Sequence, residues 1–189
     1  MATVREARKS DLKDVEYVCR MTAGNLARTN DIIGEATAKT YSSYYIRECT
    51  DTCFVLADDK DVAVGYVLCE PDFKRFAKIF PKVDVPIISK IYKRDGRRAR
   101  LIPFPYCIFG RKYPAHLHID ILPEYQGKGY GSLMMEALLQ KLSSTKVKGI
   151  MLTADSDNYG AIRFYKRFGF HTVISIKNAG IVMAKNISK

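Results

Sequence analysis

With 189 residues, 47% of them apolar and 27% charged, the chain can bury a core of its own, which excludes a fibrous or disordered protein. No run approaches the roughly 18 apolar residues of a membrane helix, and the opening MATVREARKSD lacks the apolar stretch of a signal peptide. The net charge of +11 is uneven: residues 71–112 hold twelve Lys or Arg against three Asp, which is +9 of the total.

The five cysteines (Cys19, Cys49, Cys53, Cys69, Cys107) form no CxxC pair and no metal-type spacing with the three histidines. Free thiols, a cytoplasmic location and no metal are therefore expected. The basic stretch reads either as a solvated surface or as a patch that steers an acidic partner.

In chain order, Thr3–Arg8 alternates as a short strand. Ser10 is placed to cap a helix running to about Ala27, with Asp11 and Asp14 in its first turn. A second helical pattern covers about Ala36–Glu48. Thr52–Ala57 and Val62–Cys69 read as strands joined by the Asp58-Asp59-Lys60-Asp61 turn. Residues 71–112 are proline-punctuated, with helices expected at Asp72–Ile79 and Ile87–Lys93.

The following stretch carries the chemistry. Ala115–Leu122 alternates strictly, which places Leu117, Ile119 and Ile121 on one face and His116, His118 and Asp120 on the other. Pro123-Glu124-Tyr125 ends the strand. Gln126-Gly127-Lys128-Gly129-Tyr130-Gly131 follows, and from Ser132 apolar residues recur at helical spacing through Leu142. A strand, a glycine turn and a helix start make an anion site: glycines let the backbone approach, and free N–H groups point at a phosphate. The Walker pattern is absent, and GxGxG is not the dinucleotide GxGxxG, so those ligands are disfavoured. A simple tight turn is the plainer alternative.

Pro123 with Gln126-x-x-Gly129-x-Gly131 resembles the coenzyme A motif of the GNAT superfamily of N-acetyltransferases. The later run Asn158-x-x-Ala161-x-x-Phe164-Tyr165-x-x-x-Gly169-Phe170, after the strand Gly149–Ala154, matches that family's second signature. The resemblance covers Val62–Glu70 and Ala115–Lys185 well, the N-terminal helices loosely and residues 71–112 not at all. It implies an α+β GNAT fold: a mostly antiparallel sheet of about seven strands with a central splay, and helices on both faces. One domain over residues 1–189 is expected, with the basic insert at about 71–112 between the third and fourth strands. The stretch H-L-H-I-D-I-L-P-E-Y-Q-G-K-G is similar to the acetyltransferase-like domain of O-GlcNAcases and its free-standing bacterial relatives.

The resemblance also implies roles. Acetyl-CoA would be the co-substrate, its pyrophosphate held by Gln126, Gly127, Lys128, Gly129, Tyr130, Gly131 and Ser132. Its pantetheine would lie along Ile119, Ile121 and Leu122, with Asn158 in contact. Tyr165 matches the tyrosine that protonates the departing thiolate, a role that a phenol of pKa near 10 beside a thiol near 8.5 can fill. The plainer role for Tyr165 is that of a core aromatic beside Phe164 and Phe168.

The acceptor amine must lose a proton before attack, which suits a base with pKa near 7. The two-histidine strand is similar to that of arylalkylamine N-acetyltransferases, so His118 and Asp120, then His116, are the candidate bases. Asp120 could instead orient a histidine or bind the substrate's ammonium. Direct transfer in a ternary complex is expected, since no cysteine lies on a matched catalytic element. An amine acceptor is therefore the expected partner, neutral or acidic given the basic insert; a homodimer is compatible with the sequence, while a membrane or nucleic-acid partner is disfavoured. The alternative is an inactive acetyltransferase-like module whose basic insert holds an acidic partner.

Overall fold

The computed structural model describes residues 1–176 and 180–187. Seven strands form one sheet: β1 (Thr3–Glu6), β2 (Phe54–Ala57), β3 (Ala63–Glu70), β4 (Ala115–Ile121), β5 (Gly149–Ala154), β6 (His171–Ile176) and β7 (Gly180–Asn186). Their order is β1-β2-β3-β4-β5-β7-β6. All neighbours are antiparallel except β4 and β5, which pair in parallel only at Ala115↔Ile150 and His116↔Met151. Beyond His116 the two strands part. This splay opens the sheet at the carboxyl ends of its two parallel strands, where α/β sheets receive ligands.

The β2–β3 hairpin forms where the aspartate cluster was expected to turn the chain. The Asp58 carboxylate accepts the N–H groups of Lys60 and Val62, at 2.9 and 3.0 Å, and Asp61 takes a positive φ of 61°. Short polar side chains satisfy such a turn locally. β2 and β3 are buried along their whole length.

The N-terminal helices are shorter than the periodicity suggests. Lys9–Asp11 form a 3-10 turn, so Ser10 lies inside it rather than capping a helix. The Asp11 carboxylate takes the Arg8 N–H at 2.7 Å and pairs with Arg5 at 2.8 Å. α1 (Leu12–Thr22) ends at an extended Ala23 followed by Gly24, well before Ala27, and a separate turn of helix, α2 (Asn25–Thr29), follows. The expected helix at Ala36–Glu48 begins earlier, at α3 (Asp31–Ala38), where the Asn30 side chain accepts the Ile33 N–H. It then loosens into a π-turn at Lys39–Ser43 before α4 (Tyr44–Glu48).

Residues 73–109 are the largest departure. In place of two short helices, one 19-residue helix, α5 (Phe73–Ile91), runs through Pro81 and Pro86. Proline removes a backbone donor and crowds the preceding turn. Here burial of Phe76, Phe80, Val85 and Ile88 on one side of the helix offsets that cost. α6 (Lys93–Ala99) and α7 (Pro103–Phe109) complete the insert. Its start is anchored on Glu70, a fully buried carboxylate that accepts from the Tyr44 hydroxyl, the Asp72 N–H and the Arg75 guanidinium.

α8 (Tyr130–Ser143) and α9 (Tyr159–Arg167) follow the glycine loop and β5. Side chains of the π-turn, α4 and α5 lie over the His116 face of β4, while Gly131 lies near Ile121 and Phe164 on the other. Among the described residues no helix is long and apolar enough to cross a membrane, and no group of three or more His, Cys, Asp or Glu could hold a metal. No disulfide forms; Cys107 alone of the five thiols is exposed.

Candidate active site

Antiparallel register with β3 sets the polar face of β4: Glu70 pairs with His116, Leu68 with His118 and Tyr66 with Asp120. The three candidate bases meet different surroundings. His116 is fully buried, its ring stacked on Tyr106 at 4.2 Å and edge-on to Phe76 at 4.7 Å and Tyr45 at 5.7 Å. Neither ring nitrogen has a hydrogen-bond partner among the described residues. Burial, and then the neighbouring His118, hold its pKa well below the usual histidine value.

His118 lies edge-on to Tyr45 and Tyr41, at 5.4 and 5.8 Å. Burial lowers its pKa to about 4. Its ring is thus uncharged at neutral pH but only weakly basic. Asp120 moves the other way. Burial raises its pKa to about 6, against the opposing effect of a 2.6 Å hydrogen bond from the Tyr66 hydroxyl and of the nearby Thr22 hydroxyl, which also bonds the Val18 carbonyl. Of the three, Asp120 alone has a proton affinity matched to base work near neutrality.

His116 therefore yields a separable expectation. Because its folded pKa is depressed, its contribution is present above pH 6.5 and is lost as pH falls and the unfolded chain takes up the proton. That loss grows as pH falls from 7 to 5. His116→Leu should flatten the acid limb of a stability-versus-pH curve and leave turnover within about threefold, as suits a fully buried ring. A large loss of turnover with the fold intact would return His116 to the reacting groups.

On leaving β4, the chain turns through Pro123–Tyr125 and enters the glycine loop. The Gln126 side chain ties back to the Ile121 carbonyl at 2.7 Å, and the Lys128 ammonium donates to the Glu124 carbonyl at 2.8 Å. Gly127 and Gly129 take positive φ of 73° and 85°, conformations that favour glycine. Gly129 is also the residue that caps α8. The N–H groups of Gly127, Lys128, Gly129, Tyr130 and Gly131 donate to no acceptor among the described residues. Successive free donors at a helix N-terminus fit a pyrophosphate.

Gly127 and Gly131, the two ends of this loop, line a cleft of about 660 Å³ at the splay. Its lining includes Ile119, Asp120, Ile121, Gln126, Gly127, Gly131, Asn158 and Tyr165. Asn158 caps α9 by accepting the Ala161 N–H at 3.0 Å, which leaves its amide NH₂ for a ligand. Tyr165 is nearly buried between Phe164 and Phe170. Burial, and then the Asp120 charge, push its pKa above the usual phenol value.

Eight of the expected site residues thus share one cleft. Leu122, Lys128, Gly129, Tyr130 and Ser132 belong to the same turn but do not line it; His116, fully buried, and His118, partly buried, lie on the β4 face outside it. Tyr66, Gly160, Ala161 and Phe164 were not anticipated as site residues. Tyr66 could have been found by pairing the two alternating strands, since it stands opposite Asp120; Gly160, Ala161 and Phe164 enter through the α9 turn that presents Asn158.

Comparison with known proteins identifies the family. Residues 26–170 match the model of the acetyltransferase (GNAT) family. The chain belongs to the GNAT acetyltransferase family. The crystal structure of SsHAT superposes with a TM-score of 0.87 at 29% identity, over 100% of this acetyltransferase-family chain and 99% of that one. The PaiA N-acetyltransferase of Thermoplasma acidophilum, solved in complex with coenzyme A, shares the GNAT fold with a TM-score of 0.63 at 13% identity, over 98% and 99% of the two chains. The spermine/spermidine N(1)-acetyltransferase of Bacillus subtilis strain 168 is 45% identical over 62 residues. That match spans 32% of this GNAT chain and 40% of the relative's length.

Proposed function

We propose that this GNAT chain moves an acetyl group from acetyl-CoA to an amine by direct attack in a ternary complex. The supporting observation is one cleft lined by the Asp120 carboxylate of raised pKa, by the Tyr165 phenol and by Gly127 and Gly131, the two ends of a loop with five unpartnered N–H groups. The loop donors from Gly127 to Gly131 would take the pyrophosphate, and the edge of β4 from Ile119 to Leu122 the pantetheine amides, with the Asn158 NH₂ beside them.

Asp120, ionised above about pH 6, takes a proton from the acceptor ammonium. The freed nitrogen lone pair attacks the thioester carbonyl. Collapse of the adduct breaks the carbon–sulfur bond, the thiolate takes the Tyr165 phenol proton, and the second proton shed by nitrogen restores that phenol, so the net proton released is the one on Asp120. Tyr165 is positioned to donate to the departing sulfur. Its raised pKa keeps it protonated, and part of that rise comes from the Asp120 charge. Once Asp120 holds the amine's proton that charge is gone, so proton capture by the base eases proton release by the acid. His118 and His116 support this face without contacting the reacting atoms.

Kinship to the acetyltransferase-like domain of O-GlcNAcases and its free-standing bacterial relatives is also proposed, on the H-L-H-I-D-I-L-P-E-Y-Q-G-K-G stretch. The function is tested by calorimetric titration of acetyl-CoA together with a thiol-release assay on a panel of amines. Binding with acetylation supports the transferase. Binding without thiol release from any amine would favour an inactive module that uses the basic insert. Tyr165→Phe should lower kcat about tenfold or more and leave acetyl-CoA affinity within about twofold. An unchanged kcat would remove Tyr165 as the acid.

A further inference from the structure

A second opening adjoins the base face. It has a volume of about 500 Å³ and lies between the Ala23–Ala27 bend after α1, α3, and α6 of the insert. Leu26, Ile33 and Ile102 give it apolar walls, and Arg94 and Arg98 mark its charged end. Asp95 lies 3.9 Å from each guanidinium, too far for a hydrogen bond, so one carboxylate is shared loosely between two cations. Lys90, Lys93, Arg97 and Arg100 follow on the same stretch, where Asp95 is the only acidic residue. Asp31, the first residue of α3, is engaged by Arg20.

Tyr41 links this opening to the chemistry. It lines the opening, and its ring lies edge-on to His118 at 5.8 Å. Ala23, also in the lining, directly follows Thr22, whose hydroxyl lies beside Asp120.

We propose that this opening receives the acceptor, and that the acceptor is an amine carrying a carboxylate or phosphate at the end of a short apolar spacer. Arg94 and Arg98 hold the anion while the amine reaches past Thr22 to Asp120. The inference rests on the acetyl-transfer function proposed above. The same field that attracts an anion repels a polycation, so a polyamine is selected against. A guanidinium pair offers forked donors to either oxyanion.

The test compares four six-carbon or similar amines as acceptors from acetyl-CoA: hexylamine, 6-aminohexanoate, 6-aminohexyl phosphate and spermidine. One of the two anionic amines should exceed hexylamine in kcat/KM by about tenfold or more, with spermidine lowest. Whichever is preferred distinguishes carboxylate from phosphate. In Arg94→Gln/Arg98→Gln, the ratio of anionic to neutral acceptor should collapse to within about twofold. Arg94→Glu/Arg98→Glu should move the preference toward spermidine. Arg94 and Arg98 are both surface residues, and thermal midpoints would verify folding of the two double variants. Preference for hexylamine or spermidine in the unaltered protein, or an anionic preference that survives both double variants, overturns the inference. Acetyl-CoA binding without turnover on any of the four overturns this acceptor class. Absence of acetyl-CoA binding overturns the underlying function, which the titration reads separately.

Discussion

Asp120→Asn is expected to slow acetyl transfer by about 10² to 10⁴-fold while making the folded chain more stable above pH 7. The two effects share one cause. Burial raises the Asp120 pKa from 3.8 to about 6, so the ionised carboxylate that accepts the proton is held in surroundings that disfavour its charge. A group whose folded pKa is raised contributes fully at low pH, below the unfolded value near 3.8. That contribution is lost as pH rises through about 6. At pH 8 the ionised form therefore costs about 3 kcal/mol, which asparagine removes while still accepting the Tyr66 hydrogen bond.

The checks are thermal unfolding and pH–rate profiles on both proteins. Asparagine should raise the midpoint at pH 8 by roughly 6 to 12 °C, and the gap should close below about pH 4. In the unaltered protein kcat/KM should rise through about pH 6, the limb that the substitution abolishes. A variant that keeps its turnover would make His118 the next candidate. A variant that becomes less stable at pH 8 would mean that the native fold stabilises the charged carboxylate.

The parts of this site that the sequence revealed are those governed by local rules. Strict alternation in Ala115–Ile121 assigns the two faces of β4 because the side-chain period of a strand is two. Gly127 and Gly129 mark the turn because it requires positive φ. What the sequence concealed depends on distant partners. Pro81 and Pro86 read as helix ends, yet α5 continues through both because its apolar side packs into the core. His116 and His118 read alike as strand-face histidines, and only the rings delivered by Tyr45, Phe76 and Tyr106 seal the first of them. The raised proton affinity of Asp120 likewise arises from burial, which no spacing encodes. The second opening combines α2, α3 and α6, with lining residues that run from Ala23 to Ile102, so its existence was not legible at all.

Gly129→Trp is expected to lower acetyl-CoA affinity at least about 100-fold while costing the fold only about 1 to 2 kcal/mol. A Cβ at Gly129 would meet nothing within 4 Å, so no clash accompanies the substitution. Its stability cost is the backbone strain of a side chain at φ 85°. The affinity cost has a different origin: an indole projecting from the donor loop occupies the space in front of the free N–H groups, where a pyrophosphate must sit. Gly129→Ala separates the two, since it carries the same strain with little occlusion; it should match the tryptophan variant in thermal midpoint and bind acetyl-CoA far better. Gly131→Ala is the internal control. There the φ is not positive, and a Cβ would make ordinary contacts with Phe164 at 3.5 Å and Ile121 at 3.6 Å. Calorimetry on the three variants should rank affinity as Gly131→Ala, then Gly129→Ala, then Gly129→Trp. Retention of full affinity by the tryptophan variant would mean that phosphate recognition lies elsewhere than in this loop, and the unpartnered donors would then need another ligand.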